Sequence, residues 1–310
     1  APASAHTLAK LALGLADNTL TTAALATSAP LLVVPAMDAH MWEHPTVQEH
    51  ITTLESRGAY VAGPVAGRLA SGLIGHGRML EPTAITGHIR WILGQDGDLK
   101  GRKIVVSAGG TQEPIDPVRV ITNNSSGKMG FAIAEAARDR GAKVILVTAP
   151  TNLETLIGVI TNHVTTVAEM RASVLDSCAE ADALVMAAAV SDYRTNHVPD
   201  QKIKKHESED VVSLQMVKTP DFFHEVPSGV LRVGFAAETE NLIQNAKTKI
   251  NLKNLSLIAA NDVTKEGSGF GTDTNQVTLI DKSGSTEELP LLSKYEVGHR
   301  ILDRIIKLLK

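Results

Sequence analysis

A chain of 310 residues, 43% apolar and 21% charged, is long enough for two domains and apolar enough to build real cores. Its 30 basic and 34 acidic side chains leave a net charge of −4, which excludes a nucleic-acid binder relying on bulk positive potential. The lone cysteine, Cys178, excludes an intramolecular disulfide framework and a multi-cysteine zinc site, and the longest apolar stretch, residues 183–190, is far too short for a membrane span.

The chain opens APASAH, with neither a basic nor an apolar leader region, so no signal peptide is read there. A helical pattern starts at once (Leu8, Leu11 and Leu15 on one face) with no strand before it, the profile of a domain truncated at its amino terminus. Residues 31–34 read as a strand, as do 103–107, 143–147, 183–186 and 231–234. Helical patterns run over 45–57, 128–140, 168–180, 239–253 and 293–309. Continuous apolar strands alternating with helices predict an α/β protein with a parallel sheet covered on both faces. The polar, glycine-rich stretch 94–101 is the linker candidate, giving expected domains 1–95 and 96–310.

In such sheets ligands bind beyond the carboxyl ends of the strands. After strand 103–107, Gly109 and Gly110 let backbone N–H groups approach a phosphate, and Ser125, Ser126 and Gly127 open a helix whose positive end suits an anion. This is no Walker loop, because Thr122 stands at its first glycine position and Met129 follows Lys128 where Ser or Thr is required. The plainer reading is a helix capped by Ser125 or Ser126. After strand 183–186, Ala187, Ala188 and Ala189 leave room for a flat ring, and Asp192 is placed to bind a metal ion or a hydroxyl. Residues 202–205, if extended, set Lys202 and Lys204 on one side and Ile203 and Lys205 on the other; the plainer reading is a solvated basic strand. Lys249 and Lys253, at i,i+4, repel each other unless a polyanion lies between them.

His40 and His44 have the spacing of a metal pair, but Pro45 disfavours helical geometry at His44 and no third ligand stands nearby. The glycine-rich stretch 67–79 around Ser71 reads as a mobile flap or an ordinary long turn, and Cys178 as a small buried hydrophobe.

Taken together, these segments resemble one family. AGGTQEPIDPVRVITNNSSGKMG (108–130), AAAVSDYR (187–194), KIKK (202–205), MVKTPD (216–221), GFAAET (234–239) and AANDV (259–263) stand in the order found in the ligase half of the bacterial bifunctional phosphopantothenoylcysteine decarboxylase/phosphopantothenate–cysteine ligases. APASAHT (1–7), PAMDAHMWEHP (35–45) and GRLASGLIGHGRM (67–79) match the decarboxylase half. The resemblance implies a Rossmann-like ligase domain with a parallel-rich sheet, preceded by the carboxy-terminal part of a flavodoxin-like flavoprotein domain.

It also implies chemistry for coenzyme A biosynthesis. CTP and Mg²⁺ activate the carboxylate of 4′-phosphopantothenate as an acyl-cytidylate, and the cysteine amine then displaces CMP. Carried over by motif, the nucleotide lies on Met186, Ala187 and Ala188, with Asp192, Lys202, Pro220, Asp221, Phe222, Phe223, Phe235, Lys249 and Lys253 around it. Asp192 is then the metal residue, Lys202 a catalytic cation, and Asn123 the residue assisting the amide-forming step.

The amino-terminal half implies FMN and decarboxylation of 4′-phosphopantothenoylcysteine, with Asp38 and Ser71 at its catalytic positions. Asp38 stands where the family has asparagine, Ser71 where it has the proton-donating flap cysteine, and His6 where asparagine is usual. The family's opening strand, first flavin-phosphate loop and catalytic histidine would precede Ala1, which leaves the FMN site incomplete. A hydroxyl is a far poorer acid than a thiol, so reduction should be slower or use another donor.

The expected partners are these small molecules and further copies of the chain, in the cytoplasm, without nucleic acid or membrane. A ligase whose amino-terminal part serves only as an oligomerisation or regulatory module is the alternative. A Rossmann-type oxidoreductase is disfavoured because no G-x-G-x-x-G turn follows a strand.

Overall fold

The computed structural model describes residues 1–204, 213–238, 242–262, 267, 269 and 271–310, the side chains of 237, 238 and 262 excepted. Lys205, the end of the basic run, and residues 239–241, where a helix was expected to begin, lie outside the described residues. The chain divides into two units, Ala1–Leu93 and Gly94–Lys310.

In the first unit the Ser4 side chain accepts from Thr7 N–H and starts α1 (Ala5–Leu13), which Gly14 ends at φ 70°. Next come α2 (Thr19–Ala26), β1 (Leu32–Val33), α3 (Ala39–Trp42), α4 (Pro45–Ser56), β2 (Tyr60–Val61), β3 (Val65–Arg68), β4 (Ile74–Arg78) and α5 (Pro82–Gly94). β1 and β2 pair in parallel, and Ala3 bridges to Pro35 beside them. Leu8, Val33, Val47, Ile51 and Leu54 form the core under α1 and α4. His44 is extended and caps α4 ahead of Pro45, so His40 and His44 share no helix face. Among the described residues no group of three metal-binding side chains gathers.

The stretch 67–79 is a structured hairpin rather than a long turn, since β3 pairs antiparallel with β4. Its glycines permit close docking: a Cβ on Gly77 would lie 2.1 Å from the Met37 carbonyl oxygen, and Met37 N–H donates to Gly77 O at 3.0 Å.

The second unit begins on the stretch expected to be a linker. There Leu99 is fully buried, its N–H donates to Arg140 O, and Gly94 and Gly97 press against the backbone of Asp139 and Arg140. This segment is packed wall, not tether. The unit continues through β5 (Lys103–Ala108), β6 (Gln112–Pro114), β7 (Val120–Thr122), α6 (Lys128–Arg138), β8 (Lys143–Thr148), β9 (Ile160–His163), α7 (Val167–Ser177) and β10 (Ala183–Met186). It goes on with β11 (Tyr193–Thr195), β12 (Met216–Lys218), β13 (Leu231–Glu238), α8 (Leu242–Lys253), β14 (Leu257–Asp262), β15 (Thr274–Asn275), β16 (Val277–Asp281), β17 (Thr286–Glu288), β18 (Leu292–Ser293) and α9 (Lys294–Leu309).

The described residues build an eight-stranded sheet in the order β17-β16-β14-β13-β10-β5-β8-β9. The six strands from β14 to β9 run parallel, while β16 and β17 close one edge antiparallel. Both faces are covered, as the apolar runs require. α6 and α9 pack on one through Phe131, Ile133, Val297, Ile301 and Ile305; α7 and α8 pack on the other through Met170, Val174, Ala246 and Ile250. Each fully buried aliphatic side chain contributes about 1.5–3 kcal/mol. Cys178 sits in this second core, where burial pushes its thiol up to about 11.

Chain order places the opening of the site. From β5 the chain moves outward through β8 to β9, then returns to the other side of β5 as β10. The carboxyl ends of β5 and β10 are therefore a topological switch point, where loops leave in opposite directions and a crevice forms.

Candidate functional site

At that switch point Ala189 N–H donates to Gly109 O at 2.8 Å and Thr111 N–H to Ala189 O at 3.2 Å. Ser107 Oγ accepts from Ala188 N–H and Thr111 Oγ1 from Ser191 N–H, so two buried hydroxyls of the β5 arm fix the alanine loop. Gly109 (φ 79°) and Gly110 are required sterically, because added Cβ atoms would stand 2.8 Å from the carbonyl oxygens of Ala149 and Asn123. The Asn123 side chain is fixed to the same loop: its Nδ2 donates to Val190 O at 3.1 Å.

Neither Ser125 nor Ser126 caps α6, so the plainer of the two readings of this loop does not hold. The N-cap is Gly127, left-handed at φ 76° and without a side-chain cap; Ser125 Oγ instead accepts from Gly127 N–H at 3.4 Å. A helix start without a side-chain acceptor leaves main-chain donors directed at whatever lies in front of it.

In front lies a cavity of about 510 Å³, within the ~300–1,000 Å³ usual for small-molecule sites. Its walls are the 123–129 loop, Ala187–Val190, Asp192, Phe235, Lys249 and Lys294. A second cavity, of about 200 Å³, shares Ala188, Asp192, Phe235 and Lys249 with the first. It extends over Met186, Pro220, Asp221, Phe222, Phe223 and Lys253. Twelve of the thirteen ligase positions read from sequence therefore meet on one pair of confluent cavities.

Lys202 does not. It is exposed and lines neither cavity; its neighbour Ile203 is tied instead to Asp116 and Arg119. A further cavity of about 510 Å³ borders Arg171, Arg194 and Glu113; there Arg171 pairs with Glu225, Glu113 accepts from Val167 N–H, and Arg194 donates to Thr195 O.

Charge in the two shared cavities is mostly positive. Lys253 pairs with Asp221 at 3.0 Å and lies 5.2 Å over the Phe223 ring. Burial works against ionisation of Asp221, but the Phe223 N–H and the Lys253 ammonium outweigh it and hold the carboxyl below its ordinary range. Lys128 reaches Asp273 at 2.7 Å and Gly271 O at 2.9 Å. Lys294, 6% exposed, donates to Gly269 O, Thr272 O and Thr272 Oγ1; burial and then the neighbouring Lys128 lower its pKa.

Lys294 was missed in the sequence, although a signal was there. Lys128 and Lys294 each occupy the first position of a helix, where a cation opposes the helix dipole. Two such violations in one cavity make sense when an anion completes it.

In the first unit, Asp38 and Ser71, 33 residues apart in sequence, meet: Ser71 Oγ donates to Asp38 Oδ2 at 2.7 Å. Asp38 also caps α3 by accepting from His40 N–H at 3.1 Å. The Ser71 hydroxyl, and next the His40 N–H, hold the Asp38 carboxyl below its usual range. Asp38 is thus engaged with the hairpin through Ser71.

Comparison with known proteins identifies the family. The family model described as DNA/pantothenate metabolism flavoprotein C-terminal domain matches residues 99–309, and the one described as Flavoprotein matches residues 1–93. The chain is 42% identical to the coenzyme A biosynthesis bifunctional protein CoaBC of Vibrio parahaemolyticus, with all of this chain and 78% of that protein covered. It is 42% identical to its counterpart in Bacillus subtilis, over 100% of this chain and 77% of the relative. A crystal structure of the carboxy-terminal domain of a CoaBC protein superposes with a TM-score of 0.58 at 39% identity, covering 68% of this chain and 97% of that one. This chain belongs to the family of coenzyme A biosynthesis bifunctional proteins.

Proposed function

We propose that the carboxy-terminal unit, residues 94–310, joins 4′-phosphopantothenate to cysteine with CTP as the activating nucleotide. The observation that carries this reading is the convergence of Asn123, Asp192, Lys249 and the Met186–Ala188 strand end on the confluent cavities. In the smaller one, Met186, Ala188 and Phe235 offer flat apolar walls of pyrimidine size, and Lys253 and Asp221 close the rim. In the larger, the open start of α6 with Lys128, Lys249 and Lys294 suits the triphosphate.

A carboxylate oxygen attacks the α-phosphorus and the bond to the bridging oxygen breaks, so pyrophosphate leaves. The lysines stabilise the charge that accumulates there. The cysteine amine next attacks the acyl carbon, the bond to CMP breaks, and the amine proton is lost. In this reading Asn123, which lines the larger cavity, orients that amine and stabilises the developing oxyanion. With a single carboxylate, Asp192, at the meeting of the cavities, the donor set fits Mg²⁺ carried on phosphate oxygens rather than a protein-built cage. When bound, the ion neutralises phosphate charge.

The test is pyrophosphate release with phosphopantothenate, cysteine and Mg²⁺, comparing CTP with ATP. CTP should be strongly preferred; equal use of both, or no release by folded protein, would count against the assignment. In the same assay Lys253→Ala should raise the KM for CTP about tenfold, the loss of one charge-assisted contact.

For the first unit we propose flavin binding and decarboxylation. Ala3 N–H donates to Val34 O and Ala36 N–H to Ala3 O, bringing the starts of α1 and α3 together at the carboxyl end of β1. That is the side on which flavodoxin-like folds hold FMN, and the residues fit one side of such a group. The flavin would supply the redox chemistry; Asp38 and Ser71 would contact the substrate. The Ser71–Asp38 bond also favours a second reading, a ligase whose first unit is a regulatory or assembly module with impaired decarboxylation. Carbon dioxide release with added FMN separates the two. We further propose a cytoplasmic homo-oligomer; among the described residues no helix is long and apolar enough to cross a membrane.

A further inference from the structure

The basic arm and Asn123 come from distant parts of the sequence, yet both are mounted on one hairpin. β6 and β7 pair antiparallel, and β7 runs directly into Asn123. At the other end of the hairpin, Asp116 is fully buried in the turn. It accepts from the main-chain N–H groups of Val118 and Arg119 at 2.9 Å each and from Arg119 Nε at 2.9 Å. One more donor comes from far away: Ile203 N–H, at 3.2 Å. Arg119 Nη2 in turn donates to Ile203 O at 3.2 Å. Both main-chain polar groups of Ile203 are thus held by one ion pair, while Lys202 and Lys204 on either side are exposed. Higher on the same arm, Thr195 Oγ1 donates to Pro114 O at 2.8 Å.

We infer that Asp116 and Arg119 are positioning residues of the ligase: they clamp the arm at Ile203 and so set where Lys202 and Lys204 meet the anionic substrate relative to Asn123. This rests on the proposed ligase reading and on the catalytic-cation role that the sequence resemblance implies for Lys202. The clamp grips peptide groups, not side chains, so it fixes the path of the arm while leaving both ammonium groups their reach. Because Lys202 lies outside both cavities, its delivery depends on that path. Arg119 suits the task better than lysine would, since its planar fork serves the carboxylate and the carbonyl together.

Three variants of the full 310-residue chain test this: Arg119→Gln, Asp116→Asn and Lys202→Gln. Arg119→Gln removes the grip on Ile203 O and leaves Asp116 its three main-chain donors, so it should melt close to the parent. It should raise the KM for CTP about tenfold with a smaller change in kcat, the scale of one hydrogen bond to a charged group. Trypsin should cut after Lys202 and Lys204 about tenfold faster, because cleavage follows local opening. Arg119→Lys should recover only part of both. Should Asp116→Asn fail to fold, Arg119→Gln decides alone. Parent-like KM and cleavage in Arg119→Gln, with Lys202→Gln impaired, would overturn the clamp and leave the lysine's role standing. Parent-like catalysis by Lys202→Gln would remove the lysine's role, and the clamp's function with it.

Discussion

An Asn123→Ala enzyme is expected to release pyrophosphate at near the parent rate in the first turnover yet form the amide about a hundredfold more slowly, the usual cost of losing one transition-state hydrogen-bond donor. Asn123 lines the larger cavity, and its Nδ2 is held by Val190 O, which sets the plane of the amide. A neutral amide cannot act as a base, so the residue contributes by orienting the cysteine amine and meeting charge on the acyl oxygen. The defect should therefore be flat with pH. Asn123→Asp makes a sharper contrast: it keeps the shape, loses the bond to Val190 O, and adds an anion beside the nucleotide loop, so both half-reactions should suffer. Rapid-quench measurement of pyrophosphate and of amide separates them. Equal losses in both steps for Asn123→Ala would remove Asn123 from the second step and make it a loop-holding residue.

The fold was legible where burial is simple. β5, β8 and β10 are buried on both faces and read as unbroken apolar runs; α7 and α9 carry Thr166–Glu169 and Ser293–Glu296 capping boxes. Legibility failed where glycine and proline serve tertiary contacts. The β3–β4 hairpin looks like a loop because Gly75 and Gly77 are needed for close approach to Ala39 and Met37, and no local pattern announces that. α5 was overlooked behind Pro82, Gly87 and Gly94, although proline at a first turn is permissive. The stretch 94–101 looked like a linker for the same reason: its glycines let it lie against the backbone after α6. The edge strands β16 and β17 carry Thr, Asp and Glu and were not read as strands.

The site was legible by motif, and the failures are those of long-range geometry. Motif order brought twelve nucleotide and amide positions to the same cavities but gave no warning that Lys202 stands apart from them. Lys294 hid inside an ordinary helix start. Gly127 displaced Ser125 as the cap because the chain must turn through a left-handed residue between Asn123 and α6.

The stability of the cavity should be governed from the opposite end of α6, and there Arg138→Leu is expected to cost about 3–5 kcal/mol, the penalty for removing one partner of a buried ion pair. Arg138 is 2% exposed at the last turn of α6. It donates through Nε to Asp139 at 2.8 Å and through Nη1 to Ile157 O at 2.9 Å. The Asp139 side chain, 4% exposed, also accepts from Tyr295 OH at 2.8 Å. The leucine variant leaves that carboxylate buried with Tyr295 as its hydroxyl donor and strands the Ile157 carbonyl. In urea the unfolding midpoint of the second unit should fall while the slope stays unchanged. Arg138→Leu/Asp139→Asn should regain a large part of the loss, because the damage is an uncompensated charge rather than missing packing; strict additivity of the two changes would disprove the coupling. The effect should reach the ligand. Tyr295 follows Lys294 at the start of α9, and α6 begins at Lys128, so one rigid pair of helices carries two cations of the cavity. Loosening that pair should weaken nucleotide binding, and a given CTP concentration should raise the midpoint of Arg138→Leu less than that of the parent.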